Sequence, residues 1–350
     1  MVRLSNFEAV RYRGIDGLSL PLSKANLITG ANGVGKTALI EAIWLFTGRY
    51  NPGLLWNNNV QRFASPILDP IPRLTDGERL EFRGKENGTS RKVGFAFEKM
   101  EGASPNGETG GTTQADPRVL PPVVGRIHTY LDNKLVNKGD EGITITSVGT
   151  VLHRSPQRST EHYNCVIETT RFQHETPGEY LTRFSNLVRE DGKKELMKAI
   201  DLVAQGIEDV EMLIDDIGGP YLSVTISGAR PRPLHDLGGG AVRLFRLLLG
   251  FYASRGAILL SDEMENGIHH SAQRKVWDAA RQWMDQWNVQ FVATTHSGEL
   301  IDAAIDAFAD APSDLAIHKL FRNEKTGQIE VSTFTGETLK GARDLNLEVR

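Results

Sequence analysis

One cysteine, Cys165, stands in 350 residues, so the chain can form no internal disulfide and encodes no cysteine-rich zinc site. That usage fits a reducing compartment. No stretch approaches the ~18 consecutive apolar residues of a membrane-spanning helix, and the opening MVRLSNFEAV lacks the apolar core of a signal peptide. The expectation is a cytoplasmic protein with no membrane phase. Neither sign of charge prevails: 40 Lys and Arg against 44 Asp and Glu leave a net charge of −4, with no global attraction to nucleic acid. Any such binding must come from a local patch. There is no internal repeat. What remains, 39% hydrophobic and 24% charged, is an ordinary globular composition, long enough for two domains or one large elaborated one.

Along the chain, VRLSNF and GLSLPL read as strands, followed by the apolar NLITG and a helical run KTALIEAIWLFTG that Gly48 stops. Strand-like stretches such as VGFAFE, GITITSV and CVIETT follow within residues 78–98 and 124–170. Between them EGASPNGETGGTTQADP (101–117) is nearly free of apolar residues and reads as a loop at the tip of a β-rich lobe. Residues 178–206 read as helical and YLSVTI as a strand. From residue 240 helices and apolar strands alternate: AVRLFRLLLGFY, AILLS, SAQRKVWDAARQWMDQW, VQFVATT and LAIHKLF. Such alternation predicts a largely parallel sheet flanked by helices, an α/β fold.

GANGVGKT, from Gly30 through Ala31, Asn32, Gly33, Val34, Gly35 and Lys36 to Thr37, fits G-x-x-x-x-G-K-[ST] in the required setting of strand, loop and helix. Glycines let the backbone turn tightly, so that N–H groups and a helix N-terminus face phosphates. Lys36 is placed to reach the β- and γ-phosphates of ATP, and the Thr37 hydroxyl to ligate Mg2+. AILLSDE then delivers Asp262 and Glu263 at the C-terminal end of an apolar strand, where open α/β sheets bind ligands. In that setting Asp262 holds Mg2+ through water and Glu263 orients or deprotonates the attacking water. A third acid, Glu265, follows two residues later. Lys36 and Asp262 lie more than 200 residues apart, further than in a compact GTPase. The spacing predicts a large insertion between the two motifs, and the arrangement resembles an ABC-type ATPase head, which implies a P-loop core sheet, an inserted β-rich lobe (about 50–170) and a helical segment. The expected division is a first lobe over 1–172 and a second over 173–350.

The remaining motifs resemble those of ABC-class ATPases. LGGGAVRL places Leu237, Gly238, Gly239 and Gly240 where that class has its LSGGQ signature, and ATTHS places His296 at the switch histidine. Asn32-Gly33 inside the phosphate loop resembles the SMC, Rad50 and RecF branch. LLSDEMENGIHHSAQ with VQFVATTHSGELI is most similar to the OLD-like subgroup, often grouped with AAA-type ATPases and linked to anti-phage defence or DNA processing. The closing LNLEVR resembles short members without a fused Toprim nuclease. The resemblance implies Glu263 and His296 as catalytic residues, and Leu237–Gly240 contacting the γ-phosphate held by a second protomer. It also implies a homodimer or higher homo-oligomer acting as a switch for a separate effector, plausibly a nuclease or toxin, with nucleic acid an open partner. Two other readings stand: an ATP-binding scaffold with little hydrolysis, and a transporter's nucleotide-binding subunit.

The departures concern single residues. The signature serine is Gly238, and backbone N–H groups remain there without its hydroxyl. Arg243 reads either as a replacement donor in trans or as a surface arginine. Gln173 in TTRFQHET is the candidate Q-loop glutamine, while Arg11 and Arg13 in VRYRGI read equally as nucleotide contacts or surface residues. His269 and His270 match no zinc spacing and read as loop residues at the dimer face. Val276, Trp277, Ala280, Trp283, Met284 and Trp287 share a helical face expected to pack in the core, and HRSPQRSTEH (153–162) reads as a solvated loop.

Overall fold

A computed structural model of the chain describes residues 3–48, 80–99, 123–135, 142–145, 150–152, 165–168, 178–201 and 206–339. Strands β1 (Leu4–Tyr12) and β2 (Ile15–Pro21) form an antiparallel hairpin, then β3 (Ala25–Gly30) runs into the phosphate loop and helix α1 (Lys36–Thr47). The lobe strands follow: β4 (Leu80–Glu86), β5 (Thr89–Lys99), β6 (Val123–Leu131), β7 (Lys134–Leu135), β8 (Gly142–Ile145) and β9 (Thr150–Leu152). After β10 (Val166–Glu168) come helices α2 (Gly178–Arg189) and α3 (Lys193–Asp201), and a small sheet of β11 (Ile207–Ile214), β12 (Pro220–Ile226) and β13 (Arg232–Pro233). The chain closes with α4 (Gly239–Ala253), β14 (Ile258–Ser261), α5 (His270–Trp287), β15 (Gln290–Thr294), α6 (Gly298–Ala307), β16 (Leu315–Arg322) and β17 (Ile329–Thr335).

The core sheet has the order β10-β14-β15-β3-β16-β17, parallel except for β17. The second sheet runs β2-β1-β4-β5-β6-β8-β9, with β7 beside β6. The strands of the β-rich lobe therefore extend a sheet begun by the N-terminal hairpin. One segment sits elsewhere than its sequence neighbours suggest: Val166–Glu168, read with the lobe, pairs in parallel with β14 and forms the edge of the core sheet. Periodicity marks a strand but not its partner.

Residues alternate across the core sheet and split its packing in two. Ile28, Ile258, Leu260 and Val292 face α1 and the N-terminal sheet, with Phe7, Tyr12, Phe82 and Phe95 beyond the helix. Leu27, Leu259, Phe291, Ala293 and Ile317 face α2 to α6. Because α1 is covered by sheets on both sides, it is apolar all round rather than amphipathic. On the other face the stripe Val276, Trp277, Ala280, Trp283, Met284 and Trp287 of α5 is buried as its spacing predicts. Trp277 also donates to the Leu300 carbonyl at 3.1 Å, locking α5 to α6. Layered this way, β3, β14 and β15 end side by side, and the loops that follow them share one edge of the sheet. Among the described residues no helix is long and apolar enough to cross a membrane.

Candidate nucleotide-binding site

Three adjacent parallel strands deliver the chemistry. β3 ends at Gly30 and opens the phosphate loop, β14 ends at Ser261 just before Asp262 and Glu263, and β15 ends at Thr294 just before Thr295 and His296. Ala31, Asn32 and Gly33 are exposed at the tip of the loop, and Val34 anchors it in the core. The Lys36 ammonium folds back over the loop and donates to the carbonyls of Gly30 (2.7 Å) and Ala31 (3.0 Å). It also lies 3.3 Å from His296 Nδ1. Burial first, and the neighbouring Lys36 charge second, lower the His296 pKa below its ordinary value, which favours the neutral imidazole.

Asp262 is nearly inaccessible, at 1% exposed. Its Oδ2 accepts from the Thr37 hydroxyl at 3.1 Å and its Oδ1 from the Thr294 hydroxyl at 2.6 Å. Two hard oxygen donors from the phosphate loop and the acidic strand thus meet. That pair suits Mg2+, which takes one or two protein ligands and fills its shell with water and phosphate oxygens. Among the described residues no group of three or more His, Cys, Asp or Glu is arranged to hold a metal by itself.

Glu263 adopts a φ of 49°, a conformation that disfavours a bulky residue. Its backbone N–H donates to the Thr294 hydroxyl at 2.8 Å, and its Oε2 accepts from Asn266 at 2.6 Å. The third acid is occupied differently: Glu265 Oε1 accepts the His296 backbone N–H at 2.6 Å. Three carboxylates within four residues are therefore dispersed onto different partners rather than left to repel one another. Thr294, which sequence reasoning gave no role, sits between Asp262 and Glu263 and touches both. Nothing in VATTHS distinguishes it, because its importance comes from a neighbouring strand.

The glycine turn lies at the start of α4. Leu234–Leu237 forms a 3-10 turn, Gly238 takes φ 92° and ψ 162°, and the helix begins at Gly239. Gly238 and Gly239 are exposed, and a Cβ on either would meet no atom within 4 Å. An L-residue is strained at the Gly238 dihedrals, so the local backbone, and not only chemistry, demands glycine where a serine was the family expectation.

Arg243 fits neither sequence reading. It is buried, and its Nη2 donates to Ser261 Oγ and to the Asp262 carbonyl, both at 3.0 Å, within its own chain. An arginine committed inward is not presented to a partner, and it is no surface residue either. Arg13 is likewise no free surface group: it pairs with Glu41 of α1 at 3.4 Å beside Tyr12, whose hydroxyl pKa is raised chiefly by burial. Arg11 is exposed on β1. The His269 ring accepts the Ser271 N–H and caps α5, its ring centroid 4.1 Å from that of His270. Gln173, the loops at 101–117 and 153–162, and the closing LNLEVR lie outside the described residues.

A family model described as "AAA domain" matches residues 2–218, and another described as "AAA domain, putative AbiEii toxin, Type IV TA system" matches residues 162–302. No curated protein matches the chain. Among solved structures, an SMC head bound to the C-winged helix domain of ScpA is 15% identical, covers 97% of this chain and 99% of that chain, and superposes with a TM-score of 0.58. The Smc head domain of Pyrococcus furiosus, with an extended coiled coil and bound to the C-terminal domain of ScpA, is 14% identical over 100% of each chain, with a TM-score of 0.55. At these identities the likeness is one of fold.

Proposed function

The chain belongs to the AAA-domain family of ATPases, with the fold of an SMC head, and from that premise we propose that it hydrolyses ATP with Mg2+ at sites shared between two copies. The observation that carries the hydrolytic part of this reading is the meeting of Thr37 with Asp262 at 3.1 Å and of Lys36 with His296 at 3.3 Å, residues separated by 225 and 260 positions.

Each residue has a distinct task in the proposed reaction. Lys36, now bonded to two neutral carbonyls, gains stronger charge-assisted partners in phosphate oxygens. Thr37 and Asp262 would hold the cation, which would supply charge neutralisation to the phosphates of the nucleotide. Glu263, oriented by Asn266 and by its own backbone bond to Thr294, positions the attacking water and takes up its proton. His296, kept neutral by burial and by Lys36, offers a hydrogen bond at the γ-phosphate end of the site. The exposed turn at Gly238 and Gly239 offers backbone donors at a helix N-terminus, which suits a phosphate held by a second copy.

The resulting dimer works as a switch on a separate effector, a nuclease or toxin in anti-phage defence or DNA processing. Support comes from the toxin–antitoxin wording of one matched family and from the SMC heads, which in both compared structures are bound to part of another protein. The absence of a serine hydroxyl at Gly238 favours a second reading, a scaffold that assembles on ATP and turns over slowly. Two substitutions test the proposal. Lys36→Ala should abolish ATP binding, whereas Glu263→Gln should retain it within about threefold and lower turnover by at least about a hundredfold. Equal loss of nucleotide affinity in both would remove Glu263 from the catalytic role, and wild-type turnover in Glu263→Gln would sink the mechanism.

A further inference from the structure

Arg243 lies one turn into α4, behind the open glycine turn, and reaches across to the strand that bears the acids. Its guanidinium bonds Ser261 Oγ and the Asp262 carbonyl through Nη2 alone. Nε and Nη1 are buried without a partner among the described residues, as is Glu265 Oε2. Burial lowers the Arg243 pKa to about 10, opposed by Asp262, Glu265 and Glu263, so the side chain stays charged at neutral pH. A buried charge satisfied at one nitrogen of three is a poor source of stability, since an apolar side chain of the same volume fills such a space at least as well. What it adds is geometry.

A second contact joins the same two elements at the other end of the acid-bearing segment. The backbones of Gly240 and Gly267 touch, so that a Cβ on Gly240 would lie 2.5 Å from the Gly267 carbonyl oxygen. Arg243 grips the segment at Ser261 and Asp262, and Gly240 meets it at Gly267. The first turn of α4 is thereby attached to both ends of the stretch carrying Asp262, Glu263 and Glu265.

We propose that Arg243 is a positioning residue that makes the Leu237–Gly240 turn and the Ser261–Gly267 segment one rigid unit. Seating that turn on the nucleotide of a second copy then sets the geometry of the acids in its own chain, and the reverse. The inference rests on the shared-site reading, and it assigns a physical link between the two sites of a dimer. Without Arg243, the turn loses its brace and completes the opposite site poorly, even though no residue of that opposite site has changed.

Heterodimers isolated by two affinity tags test this. One chain is wild type; the other carries Lys36→Ala, so ATP is held only by the wild-type phosphate loop and completed by the variant chain's turn. Adding Arg243→Met to the variant chain keeps the volume and removes every donor. Relative to the heterodimer with Lys36→Ala alone, kcat should fall at least about tenfold while KM for ATP stays within about twofold. Arg243→Lys keeps the charge, but its ammonium ends one atom short of the Nη2 position and lacks the planar fork, so it holds Ser261 and the Asp262 carbonyl less well, and kcat should fall at least about threefold. The lysine variant also carries the test if the methionine variant does not fold. An undiminished kcat in a folded heterodimer would confine Arg243 to its own site and overturn the proposal. A parallel heterodimer with Gly239→Asp beside Lys36→Ala separates the failures. If that one also turns over normally, it is the shared site that has failed; if it is dead while the Arg243 variants are fast, only the present inference falls.

Discussion

Replacing Thr294 with valine removes one hydroxyl and almost no volume, at the point where the two acids of the site are held. The Thr294 side chain is fully buried; it donates to Asp262 Oδ1 at 2.6 Å and accepts the Glu263 N–H at 2.8 Å. A hydrogen bond to a charged group contributes about 1.5–3 kcal/mol and a neutral one about 0.5–1.5 kcal/mol, so Thr294→Val should destabilise the fold by about 2–4 kcal/mol. At about 2.1 cal/mol/K of unfolding entropy per residue, that corresponds to a thermal midpoint lower by roughly 3–5 °C. Turnover should suffer separately, because Glu263 at φ 49° is held there by its bond to this hydroxyl. Freed of it, the residue relaxes toward ordinary backbone angles and its carboxylate leaves the water-orienting position, for a loss in kcat of about tenfold or more. ATP binding through Lys36 should stay within about threefold. Thr294→Ser, which keeps the hydroxyl, should recover most of both losses. The assays are a thermal melt, nucleotide titration and steady-state phosphate release on the three proteins. A valine variant with wild-type midpoint and wild-type turnover would refute the assignment of Thr294 as the element that orders the acids.

Two further outcomes follow from single residues. Burial in β16 lowers the His318 pKa to about 4 from its ordinary 6.5, so the unfolded chain takes up a proton at acid pH that the folded state refuses. Stability due to the neutral ring is complete above pH 6.5 and is lost as pH falls toward 4, by about 3 kcal/mol in total; His318→Gln should flatten that limb in urea melts, and an unchanged limb would count against it. Gly238→Ser restores the hydroxyl of the family signature but forces an L-residue to φ 92° and ψ 162°. It should cost about 1–3 kcal/mol of stability without raising turnover, and a variant as stable as wild type and faster would show that the glycine is not demanded by the backbone.

The parts of this site legible in sequence are those written in contiguous residues. GANGVGKT declares itself because loop, lysine and hydroxyl are adjacent, and AILLSDE because the apolar run and its acids are one strand. The tryptophan stripe of α5 was readable for the same reason, since a helix repeats its buried face locally. What was not legible depends on which strands become neighbours. Thr294 matters only because β15 lies beside β14, and Val166–Glu168 joins the core sheet through a pairing that no periodicity encodes. Arg243 reads as an exposed or trans-acting residue from its place near the signature, whereas the helix turns it inward onto Ser261. Gly238 looked like the loss of a hydroxyl, and its dihedrals supply a steric reason that a sequence cannot display.

Shared sites are the central claim, and mixing two dead variants tests them directly. Lys36→Ala should not bind nucleotide, and Gly239→Asp should set a negative side chain where backbone donors approach phosphate, yet each variant carries what the other lacks. With free exchange half of the dimers are mixed and each holds one intact site of two, so the mixture should recover about a quarter of the wild-type rate, or less if the sites are cooperative. Recovery that rises with protein concentration as the dimer forms is the predicted result. A mixture shown by tagged pull-down to have exchanged subunits, yet as inactive as either parent, would contradict the account.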